Sequence, residues 1–141
     1  MKAMASKRVK LLFDENISQR LVEFVNRESG LAKMAHINRR GWSGLPDHQW
    51  IEQATQGSFV IITSERIITS DRNERTRGYT VEALKAIGAR VILLGRFWDH
   101  LNRWERAKWL IGHIERLVSL AQEMPAGSVY LVNKSGRHRS L

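Results

Sequence analysis

Short apolar runs recur along this chain with helix-like segments between them, and that alternation constrains the fold more than any other feature. Val9–Phe13 (VKLLF), Phe59–Thr63 (FVIIT), Arg90–Leu94 (RVILL) and Ser128–Val132 (SVYLV) are short and apolar almost throughout. Runs of this kind fit strands buried on both faces. Lys33–Asn38 (KMAHIN) reads as a weaker strand. Asn16 to Asn26 has helical spacing, with Ile17, Leu21, Phe24 and Val25 on one face. Asn16 is placed to cap that helix, and Gln19 to close a variant of the capping box. A second helix is expected from Pro46 to about Gln56, and a third over Thr80–Ile87 with Thr80 as its cap. A long one is expected from Asp99 to about Glu123, its apolar stripe formed by Leu101, Trp104, Ile111, Ile114, Leu117, Val118 and Ala121. Residues 65–78 read as a loop, and residues 133–141 as a mobile basic tail. The expectation is one domain over residues 1–141: an α/β three-layer sandwich, its mostly parallel central sheet flanked by helices.

Sheets of this type form their sites outside the carboxyl ends of the strands. Asp14-Glu15-Asn16 follows the first strand and Ser64-Glu65-Arg66 follows the middle one, so both strands deliver a carboxylate to the same edge. Asp47 opens the second helix, and Asp71 lies in the loop after Glu65. The chain around these acids is basic, with 23 Lys and Arg against 14 Asp and Glu, a net charge of +9. Clustered carboxylates repel one another and hold their charge most easily around a cation. Hard ions such as Mg²⁺ or Mn²⁺ take oxygen ligands, and can activate water and stabilise a phosphodiester undergoing attack. A basic surface suits a polyanionic partner, usually nucleic acid. An acidic pocket with a basic rim is therefore the layout of a nuclease. Each acid also has a plainer reading. Asp14 and Asp47 serve as helix caps, Glu65 pairs with a nearby arginine, and Asp71 is a turn residue.

Other chemistries lack their residues. The 141-residue chain has no cysteine, which excludes disulfides, thiolate zinc sites and a cysteine nucleophile. It has no phosphate-binding glycine loop, dinucleotide fingerprint or serine nucleophile elbow. Its five histidines show no zinc-ligand pair on one helix face. No apolar run is long enough to span a bilayer, and Met1–Lys10 lacks the apolar stretch of a secretory signal, so no membrane partner and a cytoplasmic location are expected. The five tryptophans read mainly as core, with one or two available to stack on RNA bases.

Leu11-Leu12-Phe13-Asp14-Glu15-Asn16 resembles the opening of the small PIN-like domains, where a strand ends in Asp-Glu-Asn before a helix. Leu45-Pro46-Asp47-His48-Gln49-Trp50-Ile51 resembles their next segment, and Gly57–Arg66 their middle strand with its acidic end. Gly88–Gly95 resembles a later strand. The resemblance covers roughly residues 8–135. It is greatest to the VapC-like toxins of prokaryotic toxin–antitoxin pairs. It implies a PIN fold, a ribonuclease site dependent on Mg²⁺ or Mn²⁺, an RNA substrate and an antitoxin partner, with the long helix Asp99–Glu123 and Trp98, Trp104 and Trp109 offering a surface for a homodimer or the antitoxin. By position, Asp14, Asp47 and Glu65 would be the metal ligands, with Asp71 a fourth catalytic acid. Asn16, Thr63 and Ser64 would orient the carboxylates, and Arg66, Arg72, Arg75 and Arg77 would hold RNA phosphates.

One departure leaves the set open. The family pattern after the middle strand is Thr-x-Asp, and this chain has Thr63-Ser64-Glu65. Glutamate ligates the same ions with a longer reach. Ile67-Ile68-Thr69-Ser70-Asp71 repeats the pattern with an aspartate, so Asp71 is the alternative third acid. A site that binds RNA or protein without cutting is a further reading. A phospho-acceptor domain is disfavoured, since the middle strand ends in Ser64-Glu65 rather than in an aspartate.

Overall fold

The computed structural model describes residues 8–68 and 79–141. Its elements alternate as the apolar runs require: β1 (Lys10–Phe13), α1 (Gln19–Ser29), β2 (Lys33–His36), α2 (Asp47–Gln56) and β3 (Val60–Ser64), then α3 (Val81–Ala86), β4 (Arg90–Leu94), α4 (Arg103–Glu123), β5 (Ser128–Val132) and β6 (His138–Ser140). Short 3₁₀ helices follow β3 at Glu65–Ile67 and β4 at Arg96–His100. The sheet order is β2-β1-β3-β4-β5-β6, with every neighbouring pair parallel except β5 and β6.

Strand residues alternate between two cores, as the period-two geometry of a strand dictates. Leu11, Phe13, Val60, Ile62, Ile92 and Leu94 face one core with Val22 and Val25 of α1 and Leu110, Ile114 and Leu117 of α4. Leu12, Ile61, Val91, Leu93 and Val129 face the other with Trp50, Ile51 and Ala54 of α2 and Ala83 and Leu84 of α3. The result is the expected α/β three-layer sandwich. No helix among the described residues is long and apolar enough to cross a membrane.

Four local expectations change. The cap of α1 is Ser18, whose hydroxyl accepts from the Leu21 amide, leaving the Asn16 side chain for a longer-range role. On α1, Val22 is buried while Phe24 is exposed. Helix α4 starts at Arg103, with Asn102 and Glu105 forming a reciprocal capping box. Trp98 in the preceding 3₁₀ helix fills the core instead, so Trp104 is 71% and Ile111 50% exposed. Residues 133–141 are not a loose tail. They turn back so that β6 pairs with β5 (Leu131 opposite Arg139), and Trp109 donates its indole N–H to the Lys134 carbonyl at 2.8 Å.

Candidate active site

The chain leaves β1 toward β2 on one side of the sheet, whereas β3 connects onward to β4 on the other. Such a reversal opens a crevice at the carboxyl ends of the two adjacent strands. Asp14 stands there as the first residue after β1, and Thr63 and Ser64 end β3. The Asp14 amide donates to the Ile62 carbonyl at 3.2 Å, so parallel pairing itself holds the acid in register with β3.

A directed chain of hydrogen bonds fixes the carboxylate. Thr63 Oγ1 donates to Asp14 Oδ2 at 2.8 Å, and the Glu15 amide donates to Asp14 Oδ1 at 2.6 Å. Thr63 has then spent its one proton, so it accepts from Asn16 Nδ2 at 3.4 Å. The same nitrogen reaches Ser64 Oγ at 3.0 Å. This sequence orients the Asn16 amide and leaves its Oδ1 buried with no hydrogen-bond partner among the described residues. The Asn16 carbonyl in turn accepts from Trp98 Nε1 at 3.3 Å. Asn16 is therefore tied to β3 through its side chain and to the segment after β4 through its backbone.

Asp47 is the first residue of α2, and its Oδ1 accepts from the Trp50 indole at 3.0 Å. Its charge is felt at Asp14. Burial raises the Asp14 pKa above its ordinary value, and the carboxylates of Asp47 and Glu15 raise it further, against the lowering effect of the two hydrogen bonds. No described lysine, arginine or histidine forms an ion pair with Asp14. A partly buried carboxylate whose charge is disfavoured by burial and by a second carboxylate suits a hard divalent ion through oxygen ligands. Asp14 and Asp47 fit such an ion. Among the described residues no group of three acids or histidines gathers tightly enough to enclose one unaided. Mg²⁺ characteristically takes one or two carboxylates and completes its shell with water and substrate phosphate.

Glu65 is engaged by another partner. Its carboxylate lies 3.6 Å from Arg96 Nε, and it is not among the charges that shift Asp14. Arg66 sits beside Asp99, Nε to Oδ2 at 3.9 Å, so two loosely formed ion pairs link the segments after β3 and β4. Asp71, Arg72, Arg75 and Arg77 lie outside the described residues. The contributions of Arg96, Trp98 and Asp99 were not expected from the sequence, which gave Arg96 and Trp98 no place in the site and made Asp99 the start of the long helix. Arg96-Phe97-Trp98-Asp99, directly after the carboxyl end of β4, was nonetheless the available signal.

A family model described as "PIN like domain" matches residues 9–96, from β1 into the segment after β4. The match is shorter than the span over which the motifs alone suggest likeness. Comparison with curated proteins and with solved structures gives no match. PIN-like domains are often nucleases and typically depend on a divalent metal ion. The matched stretch takes in the acid after β1, the acid opening α2 and the hydroxyls ending β3, and by it the chain belongs to the PIN-like domain family.

Proposed function

We propose that the protein is a Mg²⁺- or Mn²⁺-dependent endoribonuclease, acting as the toxin of a toxin–antitoxin pair of VapC type. One observation carries the nuclease reading. Asp14 is pinned at the β1/β3 crevice with its charge disfavoured by burial and by Asp47, and among the described residues no cation is paired to it. A divalent ion there would supply Lewis-acid stabilisation of the attacked phosphodiester and an activated water. The protein's part is positional. Asp14 and Asp47 hold the ion, the Asn16–Thr63 relay fixes the Asp14 carboxylate, and Trp50 fixes that of Asp47. The basic surface, Arg66 included, attracts the RNA backbone. The toxin assignment rests on motif resemblance, with a protein antitoxin covering the site in the resting pair.

The test is cleavage of single-stranded RNA by the purified protein in Mn²⁺, beside Asp14→Asn and Asp47→Asn. The expected result is metal-dependent cleavage, lost in both variants. Full cleavage by Asp14→Asn would refute the site. A second reading, a module that binds without cutting, draws on the engagement of Glu65 by Arg96. It predicts stoichiometric RNA binding with no turnover in any divalent ion.

A further inference from the structure

Beside the acid site, between the first turns of α1 and α4, lies a cleft of about 750 Å³. Arg20, Arg66, Arg103 and Arg106 line it against only two acids, Glu15 and Asp99. Two of the arginines are occupied. Arg106 donates from Nε to the Trp98 carbonyl at 3.1 Å with its guanidinium over the Trp98 ring, and Arg66 faces Asp99. Arg20 and Arg103 are exposed and have no hydrogen bond or ion pair among the described residues. Both stand where helix electrostatics disfavours a cation. Arg20 is in the first turn of α1, which has no acid, and Arg103 is the first residue of α4. Two unpaired cations at the positive ends of two helices, facing one cleft, form an arrangement that an anion relieves.

A second cleft, at the opposite edge of the sheet, sharpens the contrast. It is lined by Arg8, Lys10 and Arg90, and there each cation is engaged. Arg8 donates to the Gly30 carbonyl ending α1, Arg90 to the Ser58 carbonyl just beyond α2, and Lys10 lies over the Phe59 ring. Arg8 and Arg90 complement helix carboxyl ends. Arg20 and Arg103 complement nothing within the described chain.

We propose that the α1–α4 cleft seats the sugar–phosphate backbone of a single RNA strand leading away from Asp14, with Arg20 and Arg103 each neutralising one phosphate. The identity of the strand rests on the nuclease reading of the neighbouring site. The size of the cleft suits a short stretch of single strand rather than a duplex. Glu15 and Asn16 line its floor directly after Asp14, so a backbone lying in it continues to the acid site.

The test is binding of a labelled short oligouridylate to the full chain in EDTA, where no cutting occurs, over a series of salt concentrations. Each phosphate neutralised on a single strand contributes about 0.7 to the slope of log K against log salt. Arg20→Gln/Arg103→Gln should therefore make that slope shallower by about 1.4. Arg20→Lys/Arg103→Lys, which keeps both charges, should retain it, and so should Arg8→Gln in the other cleft. An unchanged slope in the double glutamine variant, or no RNA binding by the wild-type protein, overturns the proposal. So does loss of binding to a polyglutamate peptide with RNA binding intact, which would assign the cleft to an acidic protein segment. Cleavage in Mn²⁺ is scored separately. A shallower slope with no cleavage by the wild-type protein would retain the cleft and reject the nuclease, and the opposite pair of results would do the reverse.

Discussion

Thr63, one residue from the end of β3, gives its hydroxyl proton to Asp14, the residue that follows β1, across 2.8 Å. The bond joins the two strands at the point where the sheet order reverses, and it makes Thr63 the acceptor for the Asn16 amide. Thr63→Val keeps the shape and removes both the donor to Asp14 and the acceptor for Asn16. The variant should lose about 1–2 kcal/mol of stability, since Asp14 and Asn16 each lose one hydrogen-bond partner in a partly buried site. Its Mn²⁺ affinity should fall about 10- to 100-fold, the usual effect of losing a hydrogen bond to a ligand. Thermal unfolding and calorimetry check both, with Thr63→Ser expected to behave as wild type.

Asp14 is costly to the metal-free fold, and the sign of that cost is testable. Burial, first, and then the charges of Asp47 and Glu15 raise its folded pKa, so the folded state disfavours the carboxylate relative to the unfolded chain. Below the ordinary value of 3.8 the group is protonated in both states and the penalty vanishes. It grows as pH rises from there and is complete above the raised folded pKa. Asp14→Asn should therefore stabilise the metal-free protein at pH 7 by on the order of 1 kcal/mol, or about 2–4 °C in Tm. The gain should disappear in acid. Melting curves of the two proteins in EDTA at neutral and acid pH are the measurement, and a variant less stable than wild type at pH 7 contradicts the account.

Glu65 gives the opposite expectation. Its partner Arg96 is 85% exposed at the side chain, and surface pairs of this kind contribute about 0–1 kcal/mol. Glu65→Gln should change stability by less than about 1 kcal/mol and leave Mn²⁺ affinity within about twofold. A loss of tenfold or more in a calorimetric titration would place Glu65 among the ligands after all.

The contrast between these acids shows what the sequence could and could not reveal. The strands were legible because VKLLF, FVIIT, RVILL and SVYLV are buried on both faces and carry almost no polar residues. Once those strands lie parallel, Asp14 and Ser64 necessarily reach one edge. Which acids converge depends on backbone direction after the strand. Beyond Ser64 the chain enters a 3₁₀ turn, and Glu65 reaches Arg96, a residue 31 positions further on. Local spacing does not encode that meeting. The α4 stripe was misread for a related reason. Trp104 and Ile111 have the seven-residue spacing of a buried face, but the face of α4 that meets the core carries Trp109, Leu110, Ile114 and Leu117. Asn16 was assigned to a local cap because its sequence position allows one, whereas its amide is drawn to two hydroxyls 47 and 48 residues away. The polar composition of residues 133–141 concealed β6, which is held by backbone pairing and by the turn docked on Trp109 rather than by apolar side chains of its own.

The central claim is that Asp14 and Asp47 form a divalent-ion site at the β1/β3 crevice. Calorimetric titration of Mn²⁺ into the wild-type protein, with Asp14→Asn titrated in parallel, tests it most directly. The account predicts one saturable site in the wild-type protein and none in the variant. Equal Mn²⁺ binding by the two proteins would contradict it.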